Sequence, residues 1–324
     1  MKRAILNIVR VVISAGLLIY LIYLADFDKI ITTLSNMSPA AALIAMAAFM
    51  VTVAILSLRW YLLVRAHALP VTFGKLFIYY MIGFFFNNFL PTSIGGDVSR
   101  AVYLSQQTGT RAVSLGTVFL ERVIGLLATL SLAGVSLFWL IGHADNQNII
   151  YLLAVLALIL AGGMAVLLSR RLYQRLTSLL GMLTFFDLGN RISKVFDSLH
   201  YYRDKKRVLL GAWVCSLGSQ FMLIVMNYVL ALGLNIREVS FGYFFLVVPV
   251  TFIISLLPSI NGLGVRDWGY QLLLLGQGVA RAKIISLSFM VISVPILMSM
   301  IGGAFLLIYR QRGVKTPILG EEKL

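Results

Sequence analysis

The sequence is poor in the residues that build disulfides, metal sites and water-soluble surfaces. Cys215 is its one cysteine, so no disulfide can form within the chain. The three histidines, His67, His143 and His200, are scattered and lack the spacing of a metal site. Charged residues make up 12% of the chain, about half the usual share. These scarcities exclude a disulfide-stabilised secreted domain, a thiolate metal cluster and an ordinary soluble enzyme.

Hydrophobic residues, by contrast, are in excess. They make up 60% of the 324 residues, and the mean hydropathy is +0.94. A water-soluble domain of this size could not bury so much apolar surface. The surroundings of most of the chain are therefore lipid, and we expect a multi-pass protein of a prokaryotic cytoplasmic (inner) membrane.

The net charge of +15 does not indicate nucleic-acid binding. The lysines and arginines lie between apolar runs, where such residues mark the cytoplasmic side and attract anionic headgroups. We therefore expect membrane lipids as partners, bound through an anionic headgroup or phosphate, and no nucleic acid. A homo-oligomer is possible.

Hydrophobic runs predict the spans. A span needs about 17 to 20 apolar residues. Six stretches meet that length: 8–25, 40–58, 112–141, 149–168, 208–234 and 284–308. The first has a basic start but no convincing cleavage site, so we interpret it as a retained span with a cytoplasmic N-terminus.

Two further apolar stretches, 76–90 and 242–257, are shorter and end in proline- and glycine-rich breaks. The breaks resemble each other, because each has a proline, small polar residues, two glycines and a valine seven positions after the proline. Arg-Ala pairs at 111–112 and 281–282 follow them. This similarity predicts an internal repeat.

The predicted fold is an all-α polytopic membrane protein with about six full spans and two re-entrant broken helices in an inverted repeat. Both termini lie in the cytoplasm, and the loop with Arg59, Arg65 and Lys75 is cytoplasmic. The alternative counts each short stretch as a full span and gives eight. Residues 1–310 form one membrane domain, with repeats at about 40–141 and 208–308, an amphipathic cytoplasmic connector at 169–207 and a tail at 311–324.

The breaks supply candidate anion-binding groups. Free amides at the start of a half-helix favour phosphate, and Arg100 and Arg266 stand near those starts with forked donors. The alternative is that each arginine pairs with the neighbouring carboxylate, Asp97 or Asp267, and ties the loop. Other candidates for the site are the helix breakers and polar residues of the two breaks: Asn88, Pro91, Thr92, Ser93, Gly95, Gly96, Pro258, Asn261, Gly262 and Gly264.

Glu121 and Arg122 are charged residues inside a predicted span, where charges are costly and usually functional. Adjacent helical residues point about 100° apart, so each needs a partner elsewhere. Arg100 or Arg266 is the candidate partner of Glu121, and Asp97 or Asp267 that of Arg122. The pair either lines a headgroup cavity, with Glu121 as a possible proton acceptor, or belongs to a buried ion-pair network that fixes helix packing.

Three motifs resemble the flippase-like family named after the transmembrane region of lysylphosphatidylglycerol synthase. They are the run from Asn88 to Arg100, the Glu121-Arg122-x-x-Gly125 motif, and the run from Gly262 to Asp267. The resemblance extends from about residue 8 to 310 and implies a lipid-handling protein of a prokaryotic cytoplasmic membrane. The aminoacyl-transferase domain of the synthase has no counterpart in this sequence.

We therefore expect a translocase that moves a phosphate-bearing lipid between leaflets: a phospholipid, an aminoacyl-phospholipid or a polyprenyl-linked lipid. No catalytic constellation or nucleotide-binding loop is recognisable, so we expect neither an enzyme nor a cofactor. The alternatives are a membrane-embedded lipid-modifying enzyme and a lipid-binding accessory subunit that does not transport.

Overall fold

The computed structural model describes residues 27–89, 95–141, 201–202, 205–255 and 264–311. The secondary structure of these residues is entirely helical. In chain order the α-helices are α1 (Phe27–Ser35), α2 (Pro39–Arg65), α3 (Phe73–Phe89), α4 (Gly95–Thr108), α5 (Arg111–Ile141), α6 (Lys206–Gly233), α7 (Phe244–Ile254), α8 (Val265–Leu274) and α9 (Arg281–Gln311).

Four of these helices are long and apolar enough to cross a membrane: Pro39–Arg65, Arg111–Ser136, Lys206–Gly233 and Arg281–Ile308. They match four of the six predicted spans. The other two, 8–25 and 149–168, lie outside the described residues, as do most of the connector and nearly all of the tail. The apolar stretches 76–90 and 242–257 coincide with the shorter helices α3 and α7.

One expected loop is instead helical. The apolar run ends before Arg59, but α2 continues to Arg65, so Arg59 lies within the helix and only 5% of it is exposed. The prediction that placed Arg59, Arg65 and Lys75 in a loop is therefore wrong, since Arg65 is the last residue of α2 and Lys75 lies in the first turn of α3. The apolar pattern resumes directly after Arg59, and a single arginine with partners inside the protein does not end a helix.

α3 and α4 form an antiparallel helical hairpin. Tyr79, in the first half of α3, stacks on Tyr103 near the end of α4, with ring centroids 5.3 Å apart. At the other end of the pair, the backbone amide of Gly96 donates to Oδ1 of Asn87 at 2.8 Å. α4 therefore runs back along α3, in the opposite direction.

α7 and α8 form a second antiparallel hairpin. The Tyr243 hydroxyl donates to the carbonyl oxygen of Leu273 at 3.1 Å, which joins the start of α7 to the end of α8. Near the turn, Gly269 packs against Ile254 and Thr251. Each half of the described chain therefore has a long helix, a hairpin and a second long helix.

The long helices α2 and α6 pack antiparallel along their lengths. The amide of Ser38 donates to the carbonyl of Gly233 at 3.2 Å, and at the other end of the pair Gly211 lies against Leu62. These two helices occupy the same place in their halves and run in opposite directions. That is the arrangement expected when a symmetry axis reverses helix direction between two halves.

The other helix contacts also occur in equivalent pairs, which interchange when the two halves are interchanged. The first arm of each hairpin packs against the last helix of the other half, α3 on α9 and α7 on α5. Within each half, the second arm packs on the following long helix, α4 on α5 and α8 on α9. The largest hydrophobic core of the described residues is shared by all the helices from α2 to α9, and Trp60, Met81, Met226 and Phe244 are among its buried members.

Candidate functional site

The start of α4 presses closely against α3. A Cβ atom built on Gly96 would lie 2.1 Å from the carbonyl oxygen of Gly83 and 2.6 Å from the Asn87 side chain. Only glycine fits there, because real Cβ atoms do not come so close to backbone atoms. The close approach brings Arg100, one turn later in α4, onto the surface of α3 beside Gly83.

Arg100 is buried and fully engaged. Only 3% of it is exposed, and its two Nη atoms donate to Oε2 of Glu121 at 2.8 Å and to Oδ1 of Asp97 at 2.5 Å. Its guanidinium also lies 4.0 Å from the ring centroid of Tyr80 and 5.1 Å from that of Trp60, within cation–π range. Arg100 thus has the tie to Asp97 that the sequence offered as an alternative to phosphate binding.

Glu121 lies at the centre of the network, with 1% of its surface exposed. Besides the bond from Arg100, its Oε1 accepts from Arg59 at 2.6 Å and from the Tyr80 hydroxyl at 2.7 Å. The expected partner Arg100 is present, and Arg59 and Tyr80 are partners that the sequence did not predict. Because each carboxylate oxygen already accepts from a guanidinium, the arrangement favours a fixed anion over a proton acceptor.

Arg59 connects the network to the second half. Its Nη1 donates to the Ser216 hydroxyl on α6 at 2.8 Å. A Cβ atom on Gly125 would lie 3.0 Å from that same nitrogen, so the glycine of the Glu-Arg-x-x-Gly motif makes room for the guanidinium. The resumed apolar run from Trp60 to Val64 is the sequence signal that places Arg59 inside a helix.

Arg122 forms the accessible edge of the network. Its Nε donates to Oδ2 of Asp97 at 2.6 Å, which is one of the two predicted pairings. Its side chain is 51% exposed, in contrast to the buried side chains of Arg59 and Arg100. Among the residues that the structure describes, three guanidinium groups meet two carboxylates here, so this part of the network has one positive charge in excess, and Arg122 is its exposed cation.

The second hairpin has its own polar contacts. Asp267 is buried, and its carboxylate accepts from the Gly264 amide at 2.8 Å and from the Ser288 hydroxyl on α9. Gly264 itself has φ 76°, which favours glycine at the residue before α8. Asp267 therefore caps its own helix, and the predicted alternative in which it pairs with Arg122 is not the one adopted. Arg266 lies beside it and is half-buried.

Both hairpins reach the same face of α9. Asn88, near the end of α3, donates to the carbonyl oxygen of Pro295 at 3.4 Å, and Asp267 accepts from Ser288. Ser288 and Pro295 are two helical turns apart, about 10 Å along the axis and nearly in line. The described end of α3 and the start of α8 therefore lie against neighbouring parts of one helix.

Some predicted site residues are not described by the structure. Gly95 begins α4, and Asn88, Gly96 and Gly264 have the contacts given above. The remaining members of the two breaks lie outside the described residues: Pro91, Thr92, Ser93, Pro258, Asn261 and Gly262.

The model of the family "lysylphosphatidylglycerol synthase TM region" matches residues 7–303. A UPF0104 membrane protein of Methanocaldococcus jannaschii is 30% identical over 125 residues, which cover 38% of this chain and 36% of that protein. No solved structure matches the chain.

The family match spans all of the described helices except the end of α9 and includes the three motifs that carry the resemblance. Together with the four apolar helices, it identifies a multi-pass membrane protein. The chain belongs to the family of the lysylphosphatidylglycerol synthase transmembrane region.

Proposed function

We propose that this protein translocates a phosphate-bearing lipid between the leaflets of a prokaryotic cytoplasmic membrane, without chemical change to the lipid. The observation that carries the proposal is the surplus cation of the buried network, Arg122. Its side chain is exposed, and among the hydrogen bonds described it makes one, from Nε to Asp97. A guanidinium held in this way presents its remaining donors to phosphate oxygens.

The neighbouring charges suit this role. Asp97 holds both Arg100 and Arg122, so it fixes the position of the exposed guanidinium relative to the buried one. Arg100 and Arg59 in turn neutralise Glu121. Under this proposal Arg122 contacts the lipid phosphate, whereas Arg100, Asp97 and Glu121 hold Arg122 in position.

The arrangement of the hairpins also favours a transporter. In the proposed topology the two hairpins are re-entrant and enter from opposite faces of the membrane. Paired broken helices in inverted repeats form the substrate sites of many secondary transporters. The antiparallel packing of α2 against α6 and the exchange of contacts between the halves support this topology.

The test is lipid translocation in liposomes with fluorescent phosphatidylglycerol in a phosphatidylcholine bilayer. We expect Arg122→Gln to reduce the rate at least about tenfold, because a charge-assisted hydrogen bond to phosphate contributes about 1.5–3 kcal/mol. The matched control is Arg65→Gln, which removes an exposed arginine at the end of α2. Unchanged translocation by a well-folded Arg122→Gln variant would refute the assignment of the phosphate to Arg122.

A further inference from the structure

Two interfaces of the molecule are equivalent in topology but differ in packing. The α3–α9 seam joins the first arm of the first hairpin to the last helix of the second half. The α5–α7 seam joins the first arm of the second hairpin to the last helix of the first half. An exchange of the two halves converts one seam into the other, so any difference in packing between them shows how far the molecule departs from symmetry.

The α3–α9 seam is closed. A Cβ atom on Gly302 would lie 2.0 Å from the carbonyl oxygen of Met81, and one on Gly303 would lie 2.8 Å from the ring of Phe85. The two helices therefore touch backbone to backbone, which only small residues allow. No side chain or lipid has room between them at this level.

The α5–α7 seam is open at the corresponding level. α5 and α9 both begin with Arg-Ala, and Gly302 is the 22nd residue of α9, so its counterpart in α5 is Leu132. Leu132 lines a cavity of about 210 Å³ between α5 and the start of α7. The other lining residues are mostly apolar: Val135, Ser136, Gly242, Tyr243, Phe245 and Leu246.

Among the hydrogen bonds described, one joins α5 to α7. The Ser136 hydroxyl donates to the carbonyl oxygen of Phe245 at 2.7 Å. A cavity between apolar helices forfeits packing energy, so an interface with a purely structural role would be expected to close as its counterpart does. Val135 is exposed, so the cavity opens to the surroundings of the protein beside an apolar helix that is long enough to span a membrane.

We infer that the α5–α7 seam is a lateral opening for the transported lipid, that its cavity holds an acyl chain, and that it alternates with the α3–α9 seam. When the α5–α7 seam closes, the α3–α9 seam opens, and the lipid gains access from the other leaflet. The inference rests on the proposed function. Arg122 and Ser136 lie within about 40° on α5, so the opening is on the same face as the proposed phosphate contact.

The first arm of the test measures the switch directly, without any transport. In a Cys215→Ser background, spin labels are placed on one pair per seam: Gly134→Cys with Ser240→Cys, and Lys75→Cys with Leu307→Cys. All four positions are exposed. Gly302→Leu forces α3 and α9 apart, so we expect the second distance to lengthen and the first to shorten, each by about 2–5 Å.

A lengthened α3–α9 distance with an unchanged α5–α7 distance would overturn the inference, because the seams would then be uncoupled. If Gly302→Leu does not fold, Gly302→Ala serves in its place, since its Cβ atom still meets the Met81 carbonyl. If the two distances change together but the protein translocates no lipid, the proposed function is refuted and the coupling of the seams stands. If the protein translocates lipid but the distances do not change together, the coupling is refuted and the proposed function stands.

The second arm tests the ligand. Phosphatidylglycerol with a diazirine in one acyl chain is photolysed in phosphatidylcholine nanodiscs that contain the protein. We expect labelling at residues 132–136, reduced at least fivefold by Gly242→Trp, which fills the cavity. The matched control Gly74→Trp leaves the labelling unchanged, because Gly74 also has open space around it but does not line the cavity. Equal labelling around Leu307, or no effect of Gly242→Trp, would indicate bulk lipid contact and overturn the assignment.

Discussion

At the scale of single residues, the five charges of the network divide into buried and exposed members. Arg100 and Glu121 are almost inaccessible and satisfy each other, whereas Arg122 is half-exposed. Two charges at membrane depth are expensive unless they are paired, and their pairing in turn stabilises the contact between α4 and α5. The same residues therefore hold the fold together and determine where the surplus charge lies.

Arg100→Gln should destabilise the protein. The substitution leaves Glu121 with one guanidinium and removes the cation between the rings of Tyr80 and Trp60. Breaking one member of a buried ion pair costs about 3–5 kcal/mol of unfolding free energy. The sequence left open whether Arg100 binds phosphate or ties the loop through Asp97, and the burial of Arg100 favours the structural tie.

Thermal unfolding in detergent, followed by the reaction of Cys215 with a fluorogenic maleimide, measures this effect. Cys215 is the one thiol and is half-buried, so its reactivity rises when the protein unfolds. Arg65→Gln is the control, since loss of an exposed arginine costs less than about 1 kcal/mol. Equal melting temperatures of the two variants would show that the Arg100 pairs contribute little to stability.

Part of the network could be predicted from the sequence. Charges inside an apolar span must find partners, and the nearest candidates in the motifs included the correct ones, Arg100 for Glu121 and Asp97 for Arg122. The choice between Asp97 and Asp267 could not be made, because it depends on which hairpin packs against α5. Arg59 was missed for the same reason, since its role follows from the crossing of α2 and α5.

At the scale of helices, the hairpins depend on close backbone contacts at glycine. In the first hairpin, Gly96 lies against Gly83, and this contact determines how α4 packs on α3. The sequence predicted that the chain breaks near these glycines. The antiparallel return could not be derived from it, since a proline- and glycine-rich break is equally compatible with a kinked helix that continues across the bilayer.

Gly96→Ala should therefore disrupt the first hairpin. The added methyl group would lie 2.1 Å from a backbone oxygen that cannot rotate away, so α4 must shift and the Arg100 pairs must lengthen. Overpacking of this kind costs about 1–3 kcal/mol or more. The maleimide assay should report a lower melting temperature.

Gly74→Ala is the matched control within the same hairpin. A Cβ atom at Gly74 meets no atom within 4 Å, and alanine favours the helix over glycine by about 0.8–1 kcal/mol. Its melting temperature should be unchanged or higher. If Gly96→Ala and Gly74→Ala have the same melting temperature, the close contact between α3 and α4 is not a determinant of the fold.

At the scale of the whole molecule, the number of spans depends on whether the first hairpin returns to its side of entry. Gln107, at the end of α4, accepts from the Tyr79 hydroxyl at 3.0 Å and donates to the carbonyl of Pro70, which precedes α3, at 3.5 Å. The end of the hairpin therefore lies beside its beginning. This geometry favours a re-entrant hairpin over the alternative of eight spans, in which these residues would lie on opposite faces.

Labelling of single cysteines in a Cys215→Ser background tests the topology. In the six-span topology Gln106→Cys faces the cytoplasm and Gln277→Cys faces outward, whereas in the eight-span alternative both face outward. Gln277 is preferable to its neighbour Gly278, whose φ of 79° makes any side chain strained. An impermeant maleimide added to intact spheroplasts should label Gln277→Cys at once and Gln106→Cys only after lysis. Rapid labelling of both in intact spheroplasts would favour eight spans, and the two hairpins could then no longer enter the bilayer from opposite faces.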